Sequence, residues 1–435
     1  MNIFFQAKGG FDKNMEIPNV MIFGTDSVSR MNLDRHMPKT SAFLKSVDGF
    51  YDFVGFNKVG RNTDPNLFAI LTGFHGMLVY SNSPCRYSND DNFDECPMIW
   101  KDFHEAGYVT MFSEDVPALG FLNFDRSVVA FSKKPTDYYS RPATLATEDT
   151  ISFGKGKDFG VVKNCYGGTP AIKVNHDMAL NLLQTFKDVP VFGLYWSSAS
   201  THEELEEVSR VDEYQEAFLK SFMNSGLNNN TVLIFMSDHG NRLGNITRTF
   251  IGGIEKNRPY FYIYLPKWLR EKYSLINDAM KMNTKRLATN ADVYQTLRHI
   301  LTRKFDKDYS VDDETHRIAN SMVAEMDKVR TVSGSQNVVS KLKFNSNPLG
   351  QTLFKEISPL RTCADVLIQD SFCTCQSSLT VEVDSEMAVQ SGKQAVIAIN
   401  NIIQDWPLCQ KWQLEQVRIY KYLFLFKCIG ENFLD

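Results

Sequence analysis

The sequence lacks the features that would place it within a membrane, on nucleic acid or among disordered chains. No apolar run approaches the roughly 20 residues that a membrane-spanning helix needs. Residues 1–11 show no basic segment followed by a long apolar one. There are 47 lysines and arginines against 51 aspartates and glutamates, so no basic excess exists to bind nucleic acid. With 43% apolar residues, the 435-residue chain is instead long enough to bury a large core.

Cysteine is also sparse. Eight cysteines in 435 residues are too few for a protein whose fold is held together mainly by disulfides. Cys373 and Cys375 form a Cys-x-Cys pair, which alone is weak evidence for a metal site. Two glycosylation sequons begin at Asn229 and Asn245. Two interpretations stay open at this point. One is a cytosolic protein with buried thiols, and the other is an extracellular protein with disulfides and glycans whose leader is absent from this chain.

The first two thirds of the chain alternate strand-like and helix-like segments. Strands are predicted at residues 19–23, 108–112, 191–196, 231–236 and 259–265. Helices are predicted at residues 65–71, 100–106, 178–186, 211–223 and 292–301, with Thr63 or Asp64 as the N-cap of the first. This alternation predicts an α/β fold with a mainly parallel sheet that helices flank on both faces.

The pattern changes after residue 305. Residues 333–350 are rich in serine, asparagine and glycine, and four of the eight cysteines fall between residues 360 and 410. Strand-like alternation follows at Leu379, Val381, Val383, Ala395, Ile397 and Ile399. We therefore predict a catalytic core at 1–305 and a smaller, disulfide-stabilised C-terminal extension at 306–435 with antiparallel strands.

Polar residues follow two of the predicted core strands. Asp26 comes shortly after the strand at 19–23, and Asp238 and His239 follow the strand at 231–236. Ligands bind at the carboxyl ends of strands in open parallel sheets, and aspartate and neutral histidine are ligands for zinc and manganese. The two segments together predict a metal site, although Asp26 alone could be a turn residue and Asp238-His239-Gly240 a loop tip.

A third segment, residues 60–73, predicts a nucleophile. Thr63 stands where a loop enters a helix, and the free N–H groups of a helix N-terminus favour anions. A hydroxyl at this place beside a divalent metal can lose its proton and attack phosphorus. The alternative is that Thr63 only caps the helix.

These motifs resemble the alkaline phosphatase/sulfatase superfamily. The matching residues are Thr25-Asp26-Ser27, Thr63-Asp64-Pro65-Asn66, Leu71-Thr72-Gly73 and Ser237-Asp238-His239-Gly240. Within it, the chain closely resembles the animal family known as domain of unknown function 229 over roughly residues 18–380. The resemblance implies an alkaline-phosphatase-like sandwich and a secreted protein, or the ectodomain of a membrane-anchored one.

The resemblance also implies roles for individual residues. Asp26, Thr63, Asp238 and His239 would bind one divalent metal, zinc or manganese, with Thr63 as the nucleophile of a covalent intermediate. His202 occupies a position where superfamily members often place a histidine that binds a second metal or the transferred group. Candidates for a supporting role are Arg242 and Lys58, which would hold phosphate oxygens, together with Glu255 and Asn241.

Departures from the family patterns separate the subclasses. Sulfatases need a cysteine or serine in a Cys/Ser-x-Pro-x-Arg pattern, whereas this chain has Thr63 and Leu67 at those places. Two-zinc pyrophosphatases need Asp-x-x-x-His and a late histidine. Here Ser198 stands four residues before His202, and only His299 and His316 follow His239. The second metal site is incomplete, as in phosphoethanolamine and glycerol-phosphate transferases.

The sequence therefore predicts an extracytoplasmic, metal-dependent phosphotransferase or phosphodiesterase. It would act on a phosphorylated small molecule or a lipid head group, and not on nucleic acid. Two alternatives remain open. One is a secreted binding protein that keeps this fold without catalysis, and the other is a cytosolic phosphomutase-like enzyme, which disulfides would exclude.

Overall fold

A computed structural model describes most of the chain, with several gaps. The described residues are 16–73, 85, 92–117, 120–122, 130–150, 165–166, 168–202, 205–306, 350–380, 384–404, 411–414 and 421–425. By their contacts the described residues form two compact units, one that ends at Cys373 and one that begins at Thr374.

Strands and helices alternate through the first unit, as the sequence predicts. The strands are β1 (Asn19–Thr25), β2 (Phe50–Asp52), β3 (Val109–Glu114), β4 (Tyr138–Tyr139), β5 (Cys165–Tyr166), β6 (Thr169–Pro170), β7 (Val191–Ser197), β8 (Thr231–Met236) and β9 (Phe261–Tyr264). The helices are α1 (Arg30–His36), α2 (Pro38–Ser46), α3 (Thr63–Thr72), α4 (Ile99–Glu105), α5 (Arg141–Thr150), α6 (Ala171–Thr185), α7 (Asp212–Asn224), α8 (Phe250–Glu255), α9 (Lys267–Lys272), α10 (Ser274–Asn283) and α11 (Asn290–Thr302).

Seven strands form the central sheet, in the order β2-β9-β8-β1-β7-β3-β4. β1 lies between β7 and β8 and is parallel to both, and β3 and β4 continue in the same direction. β9 runs antiparallel to β8 and to β2. The predicted, mainly parallel α/β sheet is therefore confirmed, and its one reversed strand is the segment predicted at 259–265.

The strands of the sheet are buried on both faces, because their side chains alternate between two hydrophobic clusters. In β1, Val20 and Ile22 belong to one cluster, while Met21 and Phe23 belong to the other. Helices α3, α4, α10 and α11 cover the first face, and α2, α6 and α7 cover the second. Each cluster removes apolar surface from water on one side of the sheet, which fixes the strand register.

Residues 350–373 pack into the first unit, where Leu353, Phe354 and Ile357 join the hydrophobic cluster. Disulfides join Cys85 to Cys96 and Cys363 to Cys373. The disulfide prediction is thus confirmed for these cysteines. The predicted division of the chain at residue 305 stays a proposal, since residues 307–349 lie outside the described residues.

The second unit contains an antiparallel pair, β10 (Gln376–Thr380) and β11 (Lys421–Leu425), and one helix, α12 (Glu386–Ile403). Leu379 lies in a strand as predicted, and Val381 and Val383 lie outside the described residues. The prediction of a strand at Ala395, Ile397 and Ile399 is wrong, because all three lie in α12.

The reason for this error is local. Three apolar residues at alternate positions resemble a strand, but they belong to an 18-residue amphipathic segment that is rich in helix-forming residues. The Ser385 side chain accepts a hydrogen bond from the Ala388 N–H at 3.3 Å and caps the start of this helix. Among the described residues, we find no helix with the length and apolar character that crossing a bilayer requires.

Candidate active site

The carboxyl ends of β1 and β8 bring the predicted metal ligands together. Gly24 in β1 pairs with Met236 in β8, so the residues that follow the two strands leave the sheet at the same edge. The Ser27 N–H donates a hydrogen bond of 3.1 Å to Asp238 Oδ1 and links the two segments directly. Asp26, Asp238 and His239 are all buried at this edge.

The ligand atoms of Asp26, Asp238 and His239 have the spacing of a metal site. All three lie within 4.8 Å of one another. His239 Nε2 is 3.2 Å from Asp238 Oδ2 and 3.8 Å from Asp26 Oδ1. Ligands at about 2.0–2.2 Å from a tetrahedral ion are about 3.4 Å apart. Asp238 Oδ2 and His239 Nε2 are also buried without a hydrogen-bond partner among the described residues, so this donor set fits a divalent cation.

Burial sets the protonation of these groups. It lowers the pKa of His239 to about 3, so the imidazole is neutral, which is the form that binds metals. With its proton on Nδ1, His239 donates to the Gly240 carbonyl at 3.0 Å and leaves Nε2 free as a ligand. Burial also raises the pKa of Asp26 and Asp238, and the neighbouring carboxylate raises that of Asp26 further. A bound cation would relieve this repulsion.

Two serines that the sequence prediction missed orient Asp26. Ser27 Oγ donates to Asp26 Oδ1 at 2.8 Å, and Ser198 Oγ donates to Oδ2 at 3.1 Å. Ser27 has φ of 65°, a left-handed conformation that is uncommon for a residue with a side chain. Ser27, the residue with this left-handed backbone, is also the one whose N–H donates to Asp238 Oδ1. Both serines follow strands directly, and that position is the signal which could have identified them.

Thr63 lies beside this cluster as the first residue of α3. Burial raises the pKa of Asp238, and the nearby Thr63 hydroxyl acts to lower it. The predicted cap was wrong, because the N-cap is Asn62 and the helix begins at Thr63 itself. Thr63 therefore has helical backbone geometry and does not cap the helix.

The loop before Thr63 is held by Asn66. The Asn66 Oδ1 atom accepts hydrogen bonds from the N–H groups of Val59 and Gly60 at 3.0 and 2.9 Å. Its Nδ2 group donates to the carbonyls of Gly60 and Asn62 at 3.1 and 2.8 Å. Gly60 is required here, since a Cβ would lie 2.4 Å from the Pro65 side chain. One buried amide thus fixes the entry of the chain into α3.

We predict that Asn66→Leu destabilises the protein by about 2–4 kcal/mol, because it leaves two buried N–H groups without acceptors. Asn181 on the exposed face of α6 provides the control, and Asn181→Leu should change stability by less than about 0.5 kcal/mol. Urea unfolding measures both. Equal stabilities for the two variants would show that Asn66 does not hold the loop.

Arg242 and His202, both predicted from the sequence, meet at the same edge. Arg242 NH1 donates to Asn62 Oδ1 at 2.5 Å, and Arg242 NH2 lies 3.4 Å from His202 Nε2. Burial raises the pKa of Asp238 and lowers that of His239, and the positive charge of Arg242 opposes the first shift and adds to the second. Arg242 therefore lies between the start of α3 and the metal-ligand cluster, where it can reach an anion in front of Thr63.

Of the other residues predicted to support the site, Glu255 is paired with a cation, whereas Asn241 and Lys58 are buried close to Asp238 and His239. Glu255 is held by Arg35, with contacts of 2.9 and 2.5 Å, and by Ser29 at 3.0 Å, so its carboxylate forms a structural ion pair. Asn241 is buried and accepts a hydrogen bond of 2.8 Å from the Leu243 N–H. Lys58 is buried and close enough to Asp238 for the two charges to interact.

Three further acids near the site were not predicted. Burial raises the pKa of Asp64 to about 6, of Asp115 to about 7 and of Glu114 to about 8. Asp115 Oδ1 accepts a hydrogen bond from the Ser198 N–H at 2.8 Å. Glu114 and Asp115 follow β3, so the rule that found Asp26 also applies to them.

The late histidine does not complete a second metal site. His299 lies in α11, buried beside Phe305 and Phe354, and its Nδ1 is 3.1 Å from Thr352 Oγ1. Burial lowers its pKa to about 4. His299 therefore packs in the core, and His316 lies outside the described residues.

Together, the fold and the site define an α/β protein with a buried cluster of two aspartates and one histidine at the carboxyl edge of its sheet. The family described as "Protein of unknown function (DUF229)" matches residues 9–418, and the chain belongs to this family. No curated protein matches the chain.

Several solved structures are similar in part. One is a protein in the alkaline phosphatase superfamily from Vibrio parahaemolyticus, at 15% identity over 58% of this chain and 61% of that chain, with a TM-score of 0.41. Another is the C-terminal periplasmic domain of EcEptC from Escherichia coli, at 12% identity over 67% and 83%, with a TM-score of 0.42. A third is the lipooligosaccharide phosphoethanolamine transferase A of Neisseria meningitidis, at 12% identity over 68% and 56%, with a TM-score of 0.42.

Proposed function

We propose that this protein is an extracytoplasmic, metal-dependent phosphotransferase or phosphodiesterase with Thr63 as its nucleophile. The observation that carries the proposal is the buried cluster of Asp26, Asp238 and His239, whose ligand atoms lie within 4.8 Å of one another and in which Asp238 Oδ2 and His239 Nε2 have no hydrogen-bond partner among the described residues. A hydroxyl beside three such ligand groups is placed to become the fourth ligand and the attacking atom.

The residues of the chain divide the reaction among them. Asp26, Asp238, His239 and Thr63 would hold one zinc or manganese ion, which when bound lowers the pKa of the Thr63 hydroxyl and polarises a phosphoryl oxygen. The Thr63 hydroxyl would lose its proton to solvent as its oxygen attacks phosphorus, and the bond to the leaving oxygen breaks as the phosphothreonine ester forms and the leaving oxygen takes up a proton from solvent. Water or an acceptor hydroxyl would then attack the same phosphorus, break its bond to the Thr63 oxygen and restore the hydroxyl. The N–H groups at the start of α3 and the guanidinium of Arg242 stabilise charge on the phosphoryl oxygens.

The substrate class that we propose is a phosphorylated small molecule or a lipid head group. A threonine at position 63 cannot become the aldehyde nucleophile of a sulfatase, because that conversion needs cysteine or serine. Disulfides at Cys85–Cys96 and Cys363–Cys373 support an oxidising, extracytoplasmic compartment. The sequon residues Asn229 and Asn245 are both exposed, so an enzyme that attaches glycans could reach them.

Metal content tests this proposal most directly. The protein would be secreted from animal cells, purified without chelator, and analysed by plasma mass spectrometry. We expect about one zinc or manganese per chain, lost in Asp238→Ala and kept in the control Asp177→Ala, whose carboxylate is exposed on α6. Two metals per chain would contradict the single-metal site. No metal in a folded protein would favour a secreted binding protein without catalysis.

A further inference from the structure

Lys58 is buried in a way that a structural lysine is not. Its side chain is 1% exposed, yet among the described residues its Nζ has neither a hydrogen-bond partner nor a carboxylate within salt-bridge distance. The nearest recorded contact of the ammonium is the Phe372 ring, 5.2 Å from its centroid. Buried lysines are rare unless paired, since removing an ammonium group from water is costly. Among the described residues, the folded chain therefore supplies no charged or hydrogen-bonding partner for this amine.

The groups that face Lys58 show what that partner would be. The charges that act on it are one carboxylate, Asp238, and three cations, Arg242, Lys256 and Arg61. Its backbone is fixed, because its N–H donates to the Asn257 carbonyl at 3.1 Å and its carbonyl accepts from Asn57 Nδ2 at 2.8 Å. A second buried donor, Arg242 Nε, also has no hydrogen-bond partner among the described residues. An excess of cations with unused donors is complementary to an anion.

Burial and the three cations have a further effect, since they lower the pKa of Lys58 to about 7. The amine is then largely uncharged above neutral pH. An anion that enters the space beside it reverses the balance and favours the ammonium form.

We propose that Lys58 is a catalytic residue of this site, which binds the oxygens of the entering phosphoryl group and takes up a proton from solvent as the anion binds. The proposal rests on the proposed function, because it assigns Lys58 to the group that Thr63 attacks. In this binding step the neutral amine of Lys58 gains one proton from solvent, and no covalent bond to the substrate forms or breaks.

Calorimetry with inorganic sulfate tests the proposal without requiring turnover. Sulfate resembles the phosphoryl group and does not itself titrate near neutral pH. Titrations in two buffers of different ionisation enthalpy give the number of protons taken up. For the wild-type protein with its metal complement, we expect close to one proton per sulfate at pH 8, decreasing toward zero by about pH 5.

Two variants and one control make the result specific. Lys58→Met should weaken sulfate binding by about 10- to 100-fold, abolish the proton uptake at pH 8, and leave thermal stability unchanged or higher. Lys58→Arg should bind sulfate without proton uptake, because its charge is permanent. Lys267→Met removes the same charge from an exposed side chain and should match the wild type.

The outcomes separate this inference from the proposed function. Unchanged binding in Lys58→Met, or proton uptake by Lys58→Arg equal to that of the wild type, would overturn the role of Lys58 even in an active enzyme. A Lys58→Met protein with lower stability and normal sulfate affinity would show a structural lysine. Conversely, proton-linked sulfate binding that depends on Lys58 would uphold the inference even if Thr63 proved to catalyse nothing.

Discussion

Replacing Thr63 with valine should reduce hydrolysis of bis(p-nitrophenyl) phosphate by on the order of 10⁴-fold, because the substitution removes the attacking oxygen and keeps the shape of the side chain. The residual rate would come from the metal ion, Arg242 and the start of α3, which still stabilise charge on the phosphoryl group. The measurement is steady-state turnover at saturating metal, with metal content determined in parallel because Thr63 is itself a proposed ligand.

Thr72 on the same helix provides a matched control. Its hydroxyl donates to the Phe68 carbonyl at 2.8 Å within α3, at the end of the helix remote from Asp238. Thr72→Val is chemically the same substitution and should leave turnover within a few-fold of wild type. Thr63→Ser keeps a hydroxyl and should retain measurable activity. If Thr63→Val turned over the diester at the wild-type rate, water would be the nucleophile and the covalent intermediate would be ruled out.

The sequence predicted the sheet because its strands are buried on both faces and therefore consist of apolar runs. The segment at 231–236 coincides with β8, and Asp238 and His239 follow it where parallel strands expose their ends. The same rule could have identified Glu114, Asp115 and Ser198. It did not, because their function depends on contacts between segments that are far apart in the chain, such as the Asp115 bond to the Ser198 N–H.

The surroundings of Thr63 and Glu255 could not be predicted from the sequence either, because they too depend on contacts between segments that are far apart in the chain. The capping prediction at Thr63 placed the helix boundary one residue late, and only the structure shows that Thr63 lies close to Asp238. Glu255 looked as plausible as Lys58 in sequence, but Arg35 lies near it in space and neutralises it. Sequence patterns therefore located the segments of the site, while long-range pairing decided which side chains remain available for chemistry.

The largest effect on stability should come from Asp292, which joins residues 350–361 to α11. Its carboxylate receives two hydrogen bonds from Arg361, of 2.7 and 2.8 Å, and further bonds from the N–H groups of Thr289 and Gln351. Asp292 is fully buried, and the Arg361 side chain is 9% exposed. A capping box and an ion pair thus share one carboxylate at the start of the helix.

We expect Asp292→Asn to lower the free energy of unfolding by about 3–5 kcal/mol, because it leaves the buried Arg361 guanidinium without a counter-charge. The exposed pair Lys267–Glu271 is the control, and Glu271→Gln should cost no more than about 0.5 kcal/mol. Denaturant unfolding of Asp292→Asn, Arg361→Met and the double variant completes the comparison. If the pair acts as a unit, the double variant loses much less than the sum of the single losses. Strictly additive losses would show that Asp292 acts through the helix cap alone and that Arg361 contributes independently of it.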